Sequence, residues 1–368
     1  MSVTGLLPNS FRGLLLAVLF AVSSQHLRAI VFFGTPDPGH NTNPPTGFFQ
    51  DSGWQWQVTA GFCGTVIGPH YVATARHLGL KVGQDFYYHG LTYHAIRVVS
   101  PDTGDLSLLE VAGRLPDAAP LFENSTEVGQ PMVLMGRGGQ RGNPVLGPPP
   151  DGTRVQGWTW GTYDSTLRWG TNTVDAVFQS MPGDSITGSY LITSFSDKGG
   201  DDLGTFSVGD SGGGAFVLDS DGVWKLAGVN YAVEAQFRST AVGTEFYAAL
   251  FDRTGFYEFD DTLKAWTIDP TQNVQPETQI YMTRVSAYAG WIREQFDRPA
   301  DTPWPILVSS TEINGPYTEH PYYAVEPGVQ RINVVDDGKQ RFFRLEGATT
   351  LKGPVVRPKE SWLQFEYQ

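Results

Sequence analysis

Short apolar runs separated by glycine, proline and aspartate recur along the chain, and this pattern predicts β-strands joined by turns. One set of alternating runs spans residues 54–115, and residues 128–135 begin a second set. Residues 215–218 and 224–231 are apolar and are separated by Asp-Ser-Asp-Gly, which predicts a β-hairpin. The pattern therefore predicts an all-β chain.

The stretches without such runs are predicted to be loops and a linker. Residues 137–202 and 245–280 are long polar tracts that we expect to be enlarged loops at the rim of a cleft. Three prolines near residue 300 mark a linker, and short alternating runs beyond it predict a small β-sandwich module over residues 299–368. A module of about 70 residues without a disulfide is near the lower limit for independent folding, so we expect it to pack on the preceding domain.

The candidate nucleophile is Ser211, which lies in the cluster Gly-Asp-Ser-Gly-Gly at residues 209–213. Glycines weaken a strand, so such a cluster marks a tight bend or a close approach of two backbones. A bend here would expose the Ser211 hydroxyl ahead of the hairpin and leave the N–H groups of Gly209 and Ser211 free. An acyl-transfer nucleophile needs both features: an oxygen that attacks, and donors for the oxyanion that forms.

A nucleophilic serine needs a base, and two upstream residues complete a candidate triad. His77 ends a stretch of small residues that follows two apolar runs, and Asp105 stands at the head of the apolar run at residues 106–109. Three unrelated folds carry such a triad in three chain orders, and the order His, Asp, Ser belongs to the two-barrel chymotrypsin type.

Five motifs in order make the chain similar to the trypsin-like serine proteases of the chymotrypsin fold. Residues 63–67 match the strand before the catalytic histidine, and residues 74–77 match the histidine motif. The aspartate motif is matched at residues 105–109, the serine motif at 209–213 and the terminal helix at 281–292. The resemblance implies two antiparallel β-barrels with a C-terminal helix, in a protease domain that covers residues 30–298.

The resemblance also implies a role for each candidate residue. Ser211 would attack the scissile carbonyl, and His77 would take its proton and later give it to the leaving amine. Asp105 would hold the imidazole tautomer, and the N–H groups of Gly209 and Ser211 would form the oxyanion hole. We therefore expect a serine endopeptidase that cleaves proteins or peptides through an acyl-enzyme and needs no cofactor or metal.

Two alternatives use the same residues. The glycine cluster also fits the nucleophile elbow of α/β-hydrolases, but that elbow expects a helix after the serine and both triad partners downstream. Here a hairpin is predicted after Ser211, and the one later histidine is His320. The second alternative is a catalytically inactive, protease-like binding or surface protein, although all three triad side chains are present.

Composition limits the classes of binding partner and the disulfide content of the protein. A net charge of −13 over 368 residues argues against nucleic acid or an anionic membrane surface as a partner. The single cysteine, Cys63, excludes an intramolecular disulfide and is expected to be a buried small hydrophobe. Many trypsin-like relatives bridge this position to a cysteine just after the histidine, where this chain has Leu78. In its missing bridges the chain is more similar to bacterial members of the family than to animal ones.

Residues 1–29 are predicted to be a secretory signal peptide, because Arg12 supplies a positive charge before an apolar stretch at 14–22, and a short polar stretch follows. The apolar stretch is too short to span a bilayer, which disfavours the alternative of a membrane anchor. The protein is therefore expected to be secreted, either extracellular or periplasmic. Cleavage that made Ile30 the N-terminus would, by the resemblance, pair its amine with Asp210. The alternative is that residues 30–33 are a first strand and that Asp210 bonds local backbone groups.

The resemblance places the substrate pocket at Thr205, Tyr231 and Val233. Thr205 is uncharged at the pocket floor, so a basic P1 side chain would lose its buried counter-charge there. Val233 lies near a position where glycine is usual and would narrow the pocket. We predict a preference for small or medium apolar P1 residues, and none for Lys or Arg.

The C-terminal module is similar to the small β-sandwiches that end many secreted bacterial proteins. That similarity suggests cell-surface attachment as a hypothesis, although the module shows no binding chemistry of its own.

Overall fold

Strands dominate the secondary structure, as predicted. The computed structural model of the protein describes residues 30–148, 152–181, 187–261, 263–297, 304–347, 351–356 and 362–367. The predicted signal peptide and most of the predicted linker lie outside these ranges. None of the helices within them is long and apolar enough to cross a membrane.

The first barrel forms from the apolar runs predicted between residues 54 and 115. The strands up to its end are β1 (Val31–Phe32), β2 (Thr65–Gly68), β3 (Tyr71–Thr74), β4 (Asp85–Tyr88), β5 (Leu91–Val99), β6 (Ser107–Val111) and β7 (Gly113–Arg114). Five of them make an antiparallel sheet in the order β2-β3-β6-β5-β4. Isolated bridges from Gln57 to Thr65 in β2 and from Thr59 to Tyr87 in β4 close this sheet into a barrel.

The burial pattern shows which strands face the rest of the molecule. In β4 exposed and buried residues alternate, as expected for a strand with one face on a core. β2, β3 and β6 are buried along their whole length. The core around Ala73 and Leu108 of these strands continues into the second barrel through Met135 and Phe216. The two barrels therefore share one apolar seam.

The second barrel follows after residue 130. Its region contains β8 (Pro131–Gly136), β9 (Gly139–Leu146), β10 (Val155–Tyr163), β11 (Arg168–Thr173), β12 (Ala176–Gln179), β13 (Ser189–Ser194), β14 (Gly204–Thr205), β15 (Gly214–Leu218), β16 (Trp224–Val233), β17 (Gln236–Arg238), β18 (Glu245–Leu250), β19 (Glu258–Asp260), β20 (Ala265–Thr267) and β21 (Gln279–Arg284). Seven of them form an antiparallel sheet in the order β11-β8-β15-β16-β21-β13-β12. Asn172 Nδ2 in β11 donates to the carbonyls of Ser194 in β13 and Gly204 in β14, each at 3.1 Å, which draws this sheet closed. The chain thus has the predicted chymotrypsin-like all-β fold.

The predicted C-terminal helix, α1 (Val285–Phe296), begins directly after β21. Its buried residues Val285, Tyr288, Ala289 and Ile292 recur at spacings of three and four, which gives the helix one apolar stripe. Three of these residues join the core of the seam. The Tyr71 hydroxyl in β3 donates to the Gln295 carbonyl at 2.7 Å, so the helix is also bonded to the first barrel.

The prediction of long loops at residues 137–202 and 245–280 is wrong, because both tracts contain strands. β9, β10, β17 and β18 form an accessory sheet of four strands in the order β17-β18-β10-β9, and β19 pairs with β20. β9 is rich in glycine and polar residues and lacks both an apolar run and an alternating pattern. Its strand conformation comes from backbone pairing with β10, because its own side chains show no pattern that predicts a strand.

The C-terminal residues form the predicted β-sandwich. Its strands are β22 (Ile306–Ser310), β23 (Thr318–Glu319), β24 (Tyr323–Glu326), β25 (Arg331–Val335), β26 (Phe342–Glu346), β27 (Leu351–Val356) and β28 (Trp362–Tyr367). One sheet has the order β23-β22-β26 and the other β27-β28-β25-β24-β7, so its last strand comes from the end of the first barrel.

The strand from the first barrel fits because its first residue is a glycine. Gly113 in β7 pairs with Ala324 in β24, and it has a φ of 105°. A Cβ at Gly113 would lie 2.2 Å from the Tyr323 carbonyl oxygen, so only glycine allows this approach. The module therefore packs on the first barrel. The domain boundaries at residues 30–298 and 299–368 stay predictions.

One buried histidine makes the stability of the module depend on pH. His320 is 3% exposed, and its Nδ1 lies 3.0 Å from the Ser309 hydroxyl. Burial, and then the charge of Arg341, lower the pKa of His320 from 6.5 to about 4. Because the folded state binds the proton less tightly than the unfolded state, this group stabilises the fold fully above pH 6.5, and the stabilisation is lost as pH falls towards 4.

We therefore predict that the melting temperature of the wild type, relative to that of His320→Gln, falls as the pH is lowered from 6.5 to 4.5. Thermal unfolding by circular dichroism across this range measures it. An unchanged slope in His320→Gln would contradict the prediction.

Candidate active site

The structure brings the three predicted triad residues together in one line of hydrogen bonds. His77 Nε2 lies 2.8 Å from Ser211 Oγ, and His77 Nδ1 lies 2.6 Å from Asp105 Oδ2. The second oxygen of Asp105 accepts the backbone N–H of His77 at 2.8 Å. Because an ionised carboxylate only accepts, Nδ1 carries the ring proton, and Nε2 is left to accept from the serine hydroxyl.

Strand pairing explains why His77 and Asp105 meet. Thr74 at the end of β3 pairs with Ser107 at the start of β6, so the residues just beyond each lie at the same end of the sheet. His77 follows in a single 3₁₀ turn at Arg76–Leu78, and Asp105 precedes β6. The Thr283 hydroxyl in β21 donates to the Asp105 carbonyl at 3.1 Å, which bonds this corner of the first barrel to the second.

Ser211 reaches this corner from the second barrel because the residue after it is a glycine. Gly212 has a φ of 84°, and a Cβ there would lie 2.4 Å from Thr74 Oγ1 and 2.5 Å from the Cys63 carbonyl oxygen. Any other residue would push the loop that carries Ser211 away from the first barrel. Gly212 therefore sets the distance between Ser211 and His77.

The two predicted oxyanion-hole amides are available to a ligand. Neither the Gly209 nor the Ser211 backbone N–H donates to another residue within the described ranges. Gly209 has a φ of 98°, in the region that favours glycine. The thiol of Cys63 donates to the Gly209 carbonyl at 3.5 Å, so it contacts the same loop from the first barrel.

Cys63 itself is buried and free, as expected from the sequence. Burial, and then the nearby Asp210 carboxylate, raise the pKa of the Cys63 thiol from 9.0 to about 12. The thiol is therefore protonated at neutral pH and acts as a packing group and weak donor.

Asp210, the residue before the nucleophile, is bonded to local backbone groups. One carboxylate oxygen accepts the N–H of Gly138 at 2.7 Å and the other accepts the N–H of Ser207 at 2.8 Å. Burial raises the pKa of Asp210 to about 7, although these two amide bonds work in the opposite direction. Ile30 is fully buried beside β1, whose residue Val31 pairs with Thr205. A bond from a terminal amine needs a chain that begins at Ile30, so that pairing stays a prediction.

The three predicted pocket residues occupy different surroundings. The ring of Tyr231 lies 5.9 Å from the His77 ring and stacks on Tyr190 at 5.1 Å, so it stands beside the triad. Burial, and then Asp105, raise the pKa of Tyr231 to about 12, which keeps it neutral. Thr205 is fully buried in β14, and Val233 packs against the core of the second barrel.

Sequence reasoning missed Ile280 and Asn230 near this site. Ile280 in β21 lies directly opposite Val233 and belongs to the same core, so it adds a second apolar side chain behind the predicted pocket wall. Asn230 is fully buried, and its Nδ2 donates to the carbonyls of Met135 at 2.8 Å and Asp210 at 3.0 Å. A polar residue inside an apolar strand was the available signal for Asn230, since buried polar groups are bonded. Nothing in the sequence marked Ile280 as part of the site, because isoleucine is a common residue in buried strands.

No metal site accompanies the triad in the part of the chain that the structure describes. Nowhere in these ranges are three His, Cys, Asp or Glu side chains placed to hold a metal ion. The arrangement can perform nucleophilic chemistry with its own side chains, because a hydroxyl, a base and free amide donors are adjacent.

Comparison with known proteins finds similarity in structure only. No protein-family model matches the chain, and no curated protein matches it. Among the solved structures that match is neuropsin, a serine protease expressed in the limbic system of mouse brain. It is 15% identical, the match covers 67% of this chain and 96% of that chain, and the TM-score is 0.39. A likeness this distant says nothing about the activity of this chain.

Proposed function

We propose that the protein is a serine endopeptidase that hydrolyses peptide bonds through an acyl-enzyme intermediate. The observation that carries the proposal is the unbroken line of hydrogen bonds from Ser211 through His77 to Asp105, at 2.8 Å and 2.6 Å. The free amides of Gly209 and Ser211 support it, because a hydrolase needs donors where negative charge develops.

The reaction would proceed in two halves. Ser211 Oγ attacks the scissile carbonyl carbon while its proton passes to His77 Nε2, and the Gly209 and Ser211 amides bind the oxyanion. The C–N bond then breaks, and the leaving amine takes the proton from His77. A water molecule attacks the ester in the same way, its proton passes to His77, and Ser211 recovers that proton as the acid leaves. Asp105 stays ionised throughout and stabilises the imidazolium.

A fluorophosphonate probe tests this proposal directly. We expect covalent labelling of the wild type at Ser211, no labelling of Ser211→Ala, and cleavage of a casein or mixed peptide substrate by the wild type alone. Asp105→Asn should lower kcat by roughly 10⁴-fold, because the amide favours the wrong tautomer of His77.

Ser220→Ala is the matched control, since this exposed serine lies in the turn between β15 and β16. It should label and cleave as the wild type does. A wild type that neither labels nor cleaves would instead favour the catalytically inactive binding or surface protein.

We further propose that the pocket takes small or medium apolar P1 side chains. Thr205 offers no negative charge to a basic P1 residue, and the cross-strand pair Val233 and Ile280 places two branched side chains behind the wall. An unpaired buried cation is costly, so Lys and Arg should be rejected.

Hydrolysis of peptides that differ only at P1 measures this preference. We expect kcat/KM to be highest for Ala or Val, lower for Phe and lowest for Arg. Val233→Gly should raise kcat/KM for Phe by about tenfold, because it frees the volume of a few methyl groups. Fast cleavage after Arg by the wild type would contradict the proposal.

We also propose that the protein is secreted and that its mature chain begins at Ile30. The Ile30 side chain is fully buried against Gly136, Gly170 and Gly204, and its Cδ1 lies beside Gly136, which the Asp210 carboxylate also contacts. A terminal amine at Ile30 would supply the cation that Asp210 lacks among its hydrogen-bond partners.

Intact-mass analysis of the protein exported by its native host tests both points. The expected mass is that of residues 30–368. A mass that retains residues 1–29 in a purely intracellular protein would contradict secretion, and any other processed start would contradict the role of Ile30.

A further inference from the structure

The amide of Gly209 belongs to a tight turn whose central peptide can point in two directions. The turn runs from Ser207 to Asp210, where the Asp210 N–H donates to the Ser207 carbonyl at 3.3 Å. Gly209 is its third residue, and the φ of 98° is what a type II turn requires there. Type I and type II turns differ by rotation of the central peptide, here Val208–Gly209, and glycine tolerates both. The direction of the Gly209 N–H therefore has to be set from outside the turn.

Ser207 makes the contacts that can set it. Its hydroxyl donates to the Gly139 carbonyl at 3.1 Å, accepts the Gly139 N–H, and lies 3.2 Å from Asp210 Oδ2. The side chain is buried, with 4% of the residue exposed. Gly139 is the first residue of β9 in the accessory sheet. Ser207 thus binds the start of the turn to a paired strand through both a donor and an acceptor.

We propose that Ser207 is a positioning residue that holds the turn so that the Gly209 amide is directed at the oxyanion. This inference rests on the proposed function. Other contacts tie the same turn, among them Asp210 to the Gly138 N–H, Cys63 to the Gly209 carbonyl and Asn230 to the Asp210 carbonyl. Loss of Ser207 alone should therefore weaken the oxyanion hole without abolishing it.

Ser207→Ala tests the inference. We expect kcat to fall by about tenfold, less than the roughly 10²–10³ that loss of a hole donor costs. KM for the same peptide should change by less than about twofold, because the lost interaction forms in the transition state. Affinity for a matching peptide boronate, which forms a tetrahedral adduct on Ser211, should fall by the same factor as kcat.

Ser309→Ala is the matched control. Ser309 is 5% exposed and its hydroxyl is bonded to His320 in the C-terminal module. Its variant loses a comparably buried hydroxyl far from the turn, so it should keep wild-type kcat and boronate affinity even where its melting temperature falls. Thermal unfolding of both variants is measured in parallel.

Each outcome decides the matter. Wild-type kcat and boronate affinity in Ser207→Ala would overturn the inference, and so would a Ser207→Ala chain that fails to fold, because Ser207 would then be a structural residue. Failure of the proposed function is seen separately, as a wild type that neither labels nor cleaves. An active wild type with an unaffected Ser207→Ala rejects the positioning role alone.

Discussion

Asp105 holds the candidate site together because it bonds one residue, His77, in two places. One oxygen accepts the backbone N–H of His77 and the other accepts its Nδ1–H. The first bond fixes where the histidine sits, and the second fixes which ring nitrogen faces Ser211. Asp105 is buried, with 7% of the residue exposed, so these bonds form in surroundings that strengthen them. Without this pair of bonds the imidazole could rotate or change tautomer, and the hydroxyl would lose its acceptor.

The second constraint is the closeness of the two barrels at the seam. Ser211 comes from the second barrel and His77 from the first, so their geometry depends on how closely the barrels approach. Gly212 allows the loop that carries Ser211 to contact Thr74 and Cys63. Behind this contact, apolar side chains from both barrels pack in one shared core. The site is thus a property of the interface, and neither barrel contains it alone.

Sequence could predict the fold class, and it could single out the three side chains that the structure joins by hydrogen bonds, because their signals are local. Apolar runs marked the strands of both barrels, and glycines around Ser211 marked the bend that exposes it. The accessory sheet escaped prediction because β9 owes its conformation to pairing with β10. Ser207 and Ile280 escaped for the same reason: each matters through a partner distant in the chain, Gly139 or Val233, and neither residue type stands out in its own segment.

The strand β7 follows β6 after a single residue, and β6 itself begins two residues after Asp105. Yet β7 pairs with β24, which the ribosome makes only after both barrels are complete. Until then the edge of β7 and the apolar surface around Ala112, which packs into the core of the sandwich, stay uncovered. The pairing of β7 can therefore form only after the C-terminal strands have been synthesised. Such contacts between segments distant in the chain are expected to form late in folding. The edge of the first barrel would therefore gain its partner strand only once β24 had been made.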